Sequence, residues 1–423
     1  MITLSASFVL FLAVGAPIAA AILLGSAVGL VAMDFPLRAI PSRMFAGIDT
    51  FILLAAPFYV LTGELMSRSG ITERLIELSM LITRTIRAGT AYAAVVTSLL
   101  FSGISGTAVG DAAALGQIFI RQMNQEGYRT RDSAGLIAAA SILGPIIPPS
   151  VIMVIYASVA RVSIIDLFIA GFVPGLLIGL GLCAVIWLKA RGGRMPKPQV
   201  RLAPRALWRT LVDGVLVLTL PIVIIRGAAS GVFTTTEAGG IAVMYALFLG
   251  MVVFRTLRFA DVWASLKVTA AITASIYLIL ATSEVMSYAF TLAGLNQWMA
   301  ALGQAFAGQP VLFLLLITVI FLLIGTFLEP GPALILFVPM LLPVVTGLGI
   351  DPIQFAMVVI VVLNLGLISP PVGIVMFVVG RIAHLDMWQL FRGIWPFLVS
   401  QVVVVILLCL FPGLSTWLPA AVK

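Results

Sequence analysis

Long apolar runs separated by short polar segments dominate the chain, and their lengths and interruptions predict its elements. Runs of about 20 apolar residues cross the ~30 Å hydrocarbon core of a bilayer as helices. The stretch 8–33, bent by Gly15 and Pro17, predicts a first span, and 49–66 predicts a second. Further spans are predicted at 164–188, 212–230, 238–254, 267–291 and 388–411. The segment 71–87 differs, because Leu75, Leu78 and Ile82 share one side while Glu73, Glu77 and Arg84 share another. That pattern predicts an amphipathic helix lying in the interface. LNQWMAALGQAFAG, at 295–308, is a second such piece.

Two apolar stretches are interrupted near their middle. In 89–122 the interruption is SGISGTAVGD at 102–111, and in 310–347 it is GTFLEPGP at 325–332. With about a dozen apolar residues on either side, each half is too short to span alone. Each stretch is therefore predicted to be a re-entrant helical hairpin that enters and leaves on one face. Two more runs, 133–160 and 353–381, carry LGPIIPP at 143–149 and LGLISPP at 365–371, an offset of 222. A glycine followed by paired prolines removes amide donors and stops a continuous helix. Broken backbone at membrane depth is tolerated where it lines a protein-buried cavity, and two copies half a chain apart predict a binding site at the midplane.

Gly127 and Gly349, Gly171 and Gly393, and Pro174 and Pro396 share the same offset of 222, and Gly70 matches Gly294 at 224. An internal duplication explains this. The predicted organisation is a first repeat at 1–188, a basic linker at 189–211, and a second repeat with one extra span at 212–423.

Composition sets the class. With 62% hydrophobic and 9% charged residues and a mean hydropathy of +1.21, the chain is an all-α polytopic membrane protein. Its net charge of +8 sits in short loops, where it signals orientation and not nucleic-acid binding. Placing the 189–209 loop inside leaves only Arg38, Arg43, Arg161, Arg226 and Lys423 of the 24 basic residues outside. The first hairpin is flanked by Arg84, Arg87, Arg121, Arg129 and Arg131, whereas 303–354 has no Lys or Arg. The two repeats are thus predicted to be inverted, with the N-terminus cytoplasmic and the C-terminus periplasmic. The opening run lacks a basic leader region and reads as a first span, not a cleaved signal. Cys183 and Cys409 lie in apolar runs and read as small buried side chains.

The half-helix ends exposed at such breaks offer carbonyls to a small cation and amides to an anion. Asp111 is the sharpest single residue, four positions after Thr107 and on the same face, where an uncompensated acid costs about 3 kcal/mol on the insertion scale. It predicts a role in substrate binding or cation coupling. Ser150 and Asn364 neighbour the two breaks, and either contact a carboxylate or satisfy broken backbone. Glu284, inside 267–291, either pairs with another group or faces an internal interface. Hydrolytic metal chemistry has no foothold in a chain with one histidine, His384, and no Cys cluster. An aspartyl protease needs a second Asp facing Asp111, and a channel suits closed hydroxyl-rich tips poorly.

SGISGTAVGDAAALGQ, ILGPIIPPSVIMVIYA, GTFLEPGPALILFVPMLLPV and NLGLISPPVGIVMFV together resemble the large membrane subunit of tripartite ATP-independent periplasmic (TRAP) transporters, over essentially the whole chain. The resemblance implies a secondary transporter in a bacterial inner membrane, driven by a sodium gradient and not an enzyme; its broken helices are compatible with an elevator-type or a rocking motion. It also implies a small membrane subunit and a soluble periplasmic binding protein that delivers a carboxylate such as a C4-dicarboxylate or a sialic acid. By the same resemblance, Ser102, Gly103, Ser105 and Gly106 face Gly144, Pro145 and the break up to Pro148 to form one sodium site. Gly325, Thr326 and Glu329 with Gly366, Ile368 and Ser369 form the other. Substrate contacts fall to Thr107, Asp111, Ser150 and Asn364. Hydroxyl and carbonyl oxygens are hard neutral ligands that suit sodium. The bland alternative for these small residues is close helix packing. Ala108 stands after Thr107 where the family pattern has a second hydroxyl. The alternatives from outside this family are a standalone sodium and carboxylate symporter and an intramembrane enzyme.

Overall fold

The computed structural model describes residues 2–83, 85–191, 204–229 and 232–422, and every regular element among them is helical. The opening segment departs from the predicted bent span. It forms two helices, α1 (Ile2–Ala13) and α2 (Ile18–Ala32), joined at Gly15 with φ 86°. α2 folds back on α1 through small residues: a β-carbon on Gly25 would lie 3.0 Å from the Phe8 Cα. Close small-residue contact of this kind replaces a hydrophobic driving force within lipid. A short helix not foreseen, α3 (Ala39–Ile48), and a 3-10 turn at Phe51–Leu54 lead to α4 (Ala55–Arg68).

The amphipathic segment is α5 (Ile71–Thr83), with Leu75 and Leu78 buried and Glu73 and Glu77 exposed as predicted. Ile82 is a correction, since it is 61% exposed on the side away from the packed face. Arg74 pins this helix to the later helix that carries Asp213 through a 3.1 Å ion pair, and its guanidinium stacks on Phe254.

Next come the first hairpin, α6 (Gly89–Ser105) and α7 (Ala108–Gln125), and the first broken helix, α8 (Thr130–Ser141) and α9 (Val151–Ala160). The hairpin arms hold 17 and 18 residues. At 1.5 Å per residue that is about 26 Å, well beyond the dozen predicted. Ser102 lets the helix continue into the polar stretch, because its hydroxyl donates to the Ser98 carbonyl within α6. The interruption thus shrinks to Gly106 and Thr107. The long α10 (Ile164–Arg191) follows and runs into the predicted basic linker, ending on Lys189 and Arg191, which suit a helix C-terminus. Residues 192–203 of that linker lie outside the described residues, and its last part belongs to α11 (Pro204–Ala229).

α12 (Thr235–Leu247) opens on a Thr234–Glu237 capping box and closes in a π-helical turn, Phe248–Val253. α13 (Phe259–Leu292) is 34 residues long, well beyond the predicted 267–291. Then come α14 (Leu295–Ala305), the second hairpin α15 (Pro310–Phe327) and α16 (Pro330–Gly347), the second broken helix α17 (Pro352–Gly366) and α18 (Ile374–Ala383), and α19 (Met387–Leu410). A terminal helix, α20 (Gly413–Val422), was not foreseen. Six described helices are long and apolar enough to cross a membrane; α15 and α16 are two of them, which corrects the expectation that each half of 310–347 is too short to span alone.

The order of α5 to α10 recurs in α14 to α19: a short helix, a hairpin, a broken helix, a long helix containing a proline. Local geometry recurs too, with left-handed Gly70 and Gly294 before the short helices, and left-handed Arg161 and His384 closing α9 and α18. The two sets interlock. α8 packs on α19, where Gly135 and Gly393 meet so closely that a β-carbon on Gly135 would lie 2.3 Å from the Gly393 carbonyl carbon. Gln401 on α19 donates to the Ala139 carbonyl at 2.8 Å. Residues Ser133–Ser141 of α8 and Gln354–Gly366 of α17 are buried throughout, so the broken helices form the centre of the protein. α13 packs instead on α2, α3, α4 and α16, at the margin of this centre.

Candidate functional site

The tip of the first hairpin is seated directly on the first break. Gly106 adopts φ 62°, the left-handed conformation that glycine takes at least cost, and turns the chain from α6 into α7. A β-carbon on Gly103 would lie 3.1 Å from the Pro148 carbonyl oxygen, and one on Gly106 would lie 3.4 Å from that of Pro149. From the other side, a β-carbon on Gly144 would lie 2.7 Å from Asp111 Oδ2 and 2.9 Å from the Thr107 carbonyl oxygen. Ser102, Gly103, Ser105, Gly106, Thr107, Asp111 and Gly144 are therefore brought together.

Asp111 is fully buried. Ser105 donates its hydroxyl to Asp111 Oδ1, while Oδ2 has no hydrogen-bond partner among the described residues. An orphaned carboxylate oxygen beside backbone carbonyls is costly unless a cation or a proton occupies the gap. The donor set here, one carboxylate oxygen with hydroxyls and carbonyls, fits a small hard cation. Among the described residues no three of His, Cys, Asp and Glu come together as a transition-metal site would require. Ser150 is placed differently. It caps α9 by accepting from the Met153 amide at 3.4 Å and donates to the Pro145 carbonyl at 2.7 Å, which commits both groups within the break.

The second hairpin meets the second break backbone to backbone. A β-carbon on Gly325 would lie 2.6 Å from the Leu363 carbonyl oxygen, and one on Gly366 would lie 2.3 Å from the Gly325 carbonyl carbon. The Gly373 amide donates to the Thr326 carbonyl at 3.1 Å, tying the hairpin to the chain leaving the break. Ser369 donates to the Leu365 carbonyl at 2.8 Å, and Ile368 is buried beside it. Gly325, Thr326, Gly366, Ile368 and Ser369 thus share one neighbourhood of carbonyl and hydroxyl oxygens. Both proline pairs, Pro148-Pro149 and Pro370-Pro371, are joined by cis peptide bonds.

Glu329 stands at the N-terminus of α16, where its side chain makes no capping bond. It lines a cavity of about 510 Å³ together with Ser105, Gly106, Thr107 and Gly110 of the first hairpin tip, Val151 of α9, and Asn364 and Leu367 of the second break. The remaining walls are α4, through Gly63, Glu64 and Ser67, and α13, through Ile272, Ser275 and Ile279. Both tips and both halves of the chain therefore open on a single space, which is of drug-like ligand size. Asn364 is fully buried; its Nδ2 donates to the Ile360 carbonyl at 2.7 Å and its Oδ1 has no partner among the described residues.

Glu64, Ser67 and Ser275 are wall residues that the sequence reading missed. Glu64 carries a legible signal, an acid inside the apolar run 49–66, by the same logic that singled out Asp111. Ser275 has none, since one serine in a long apolar helix is ordinary. Glu284 does not line the cavity; it packs on Gly47 and is subject to the charges of Arg43 and Arg161.

An all-helical membrane fold with two tips closing on one mid-chain cavity defines a membrane transporter. The fold is similar to that of the Alcanivorax borkumensis YdaH transporter, with TM-score 0.61 at 18% identity over 97% of this chain and 98% of that one. It is also similar to MtrF of Neisseria gonorrhoeae, with TM-score 0.54 at 15% identity over 97% and 94%. Within that class, residues 5–414 match the family described as Tripartite ATP-independent periplasmic transporter, DctM component, and the chain belongs to it. It is 39% identical over 378 residues to the sialic acid TRAP transporter large permease protein SiaM of Vibrio cholerae, covering 89% of this chain and 88% of the relative. The 2,3-diketo-L-gulonate TRAP transporter large permease protein YiaN of Escherichia coli is 34% identical, covering 95% of each chain. The C4-dicarboxylate TRAP transporter large permease protein DctM of Pseudomonas aeruginosa is 34% identical, covering 90% of this chain and 89% of the relative.

Proposed function

We propose that the chain is the transport-path subunit of a sodium-coupled importer of an organic carboxylate, in the class that the names of its relatives span. The reading rests on one observation: the first tip presents a buried acid with an orphaned oxygen, and it shares a single cavity with the second tip. Sodium at the first site would be held by oxygens of the 102–111 tip and the 144–149 break, and at the second by those of 325–326 and 366–369. When bound, sodium supplies positive charge that offsets the substrate's carboxylate.

The chain's own residues do the rest. Ala108, Val109 and Gly110 open α7, so their amides have no intrahelical partner, and the Thr107 side chain does not cap them. They are placed to bind a carboxylate at the helix N-terminus. The tips bury the substrate from water, and the interlocked hairpins and broken helices move as one unit against the walls formed by α4 and α13. A small membrane subunit and a periplasmic binding protein complete the system in a bacterial inner membrane. The two repeats lie inverted, with the N-terminus cytoplasmic and the C-terminus periplasmic.

The test is uptake into proteoliposomes that hold the chain with its small subunit, supplied with the binding protein and a candidate acid, under an inward sodium gradient or potassium. Sodium-dependent uptake that vanishes without the binding protein is expected. Uptake indifferent to sodium removes both cation sites, and uptake indifferent to the binding protein makes the chain a standalone symporter. Cysteines placed at Gly127 and Gly349, both at turns where a β-carbon would touch nothing within 4 Å, are expected to label from opposite faces. Labelling from one side refutes the inversion.

A further inference from the structure

The polar groups lining the cavity differ by element in what they offer a ligand, and this bears on substrate class within the carboxylate-import reading above. The start of α7 offers donors: three uncapped amides and the Thr107 side chain, which is exposed in the cavity. The start of α16 offers an acceptor. Glu329 is exposed in the cavity and makes no ion pair among the described residues. The helix it opens begins Pro330-Gly331-Pro332, so two of its first three residues have no N–H with which to hold an anion.

Asn364 stands beside this wall but is fully buried, so its oxygen is not presented to a ligand. Its amide orientation is set by the bond to the Ile360 carbonyl, which can only accept, so the group left without a partner is the Oδ1 oxygen. Ser275 spends its hydrogen on the Ala271 carbonyl at 2.9 Å and offers only lone pairs. Glu64 is the other wall carboxylate, but Arg68 sits 3.5 Å away and offsets its charge. Among the described residues no Lys or Arg lines the cavity. A carboxylate without an ion-pair partner in such a cavity is matched by a positive group on the ligand.

We propose that the cavity is shaped for a zwitterion, with the carboxylate at the N-terminus of α7 and a protonated amine or other cationic group at Glu329. A plain acid would leave Glu329 unmatched, and the mismatch of a polar site discriminates strongly.

The charge of the cavity can be measured before any substrate is known. In the full chain with Cys183→Ala and Cys409→Ala, a Ser275→Cys thiol is labelled with a cationic trimethylammonium and an anionic sulfonate methanethiosulfonate, each rate normalised to a free thiol in solution. The expected preference for the cation is about tenfold, and Glu329→Gln is expected to remove most of it. Equal rates, or an anion preference, overturn the proposal. With sodium present, β-alanine is then compared with propionate, a pair differing in one ammonium group, as protectants of that thiol. Stronger protection by β-alanine, lost in Glu329→Gln, is expected; equal protection, or none by either, overturns it. If Glu329→Gln instead weakens the sodium dependence of protection equally for both acids, Glu329 is a cation ligand and the proposal falls. These readouts need no transport, so their failure is distinct from a failure of sodium-driven uptake.

Discussion

The two hairpins follow the same order of elements and close on their breaks by different chemistry. In the first, the tip is rich in small hydroxyls; Gly103 and Gly106 face the carbonyls of Pro148 and Pro149, and Asp111, bonded to Ser105 within the tip, faces Gly144. In the second, Gly325 and Gly366 meet through bare backbone, and the side chains Thr326 and Ser369 bond only within their own elements. A duplicated topology thus closes one tip on its break beside a buried acid and the other through main chain. Changes of charge should be felt chiefly at the first, and changes of shape at both.

The largest effect is expected from Gly366→Ala, whose new β-carbon would fall 2.3 Å from a backbone carbon that has no room to retreat. Overpacking costs about 1–3 kcal/mol even where side chains can adjust, so this variant is expected to lose most of its folded yield, read by detergent melting. Gly347→Ala is the control, because nothing lies within 4 Å of its β-carbon. It should melt close to wild type, since it closes α16 and its β-carbon meets nothing. Equal losses at both positions would remove the backbone contact as the cause.

Asp111→Ala comes next. It is expected to fold, since the removed group is half unsatisfied, and to lose uptake by about tenfold or more. Wild-type uptake would take Asp111 out of the site. Ser105→Ala leaves Asp111 without its hydroxyl donor and is expected to raise the sodium concentration for half-maximal uptake severalfold, a loss of about 1–2 kcal/mol. Unchanged sodium dependence would separate the Ser105–Asp111 pair from the cation. The smallest effect belongs to Ser150→Ala. Its hydroxyl caps α9, so the variant should lose about 1 kcal/mol of stability and keep its sodium dependence. A shifted sodium dependence with unchanged melting would return Ser150 to the binding site.

Much of this was legible in the chain. Glycine followed by paired prolines in an apolar run stops a helix wherever it occurs, so both breaks were visible from residue types alone. The hairpins were equally visible, though their arms ran longer than their polar residues suggested, because serine can bond its own helix backbone. The opening segment was not legible as two helices. Gly15 and Pro17 are compatible with a bend or a reversal, and the choice lay in how well Gly25 and Gly29 fitted against Phe8 and Leu4.

Local chemistry along the chain therefore determined that this is a helical membrane protein, where its helices break, and that Asp111 is a residue worth testing, since each follows from backbone donors, apolar length or the cost of a charge in lipid. Tertiary structure alone decided that Asp111 faces Gly144, that Ser150 turns inward to Pro145, and that Glu64, Ser275 and Glu329 share a wall with both tips. Apart from the local Ser150–Pro145 bond, those are meetings of residues 33 to more than 200 positions apart, and only the packing of whole helices against one another selects them.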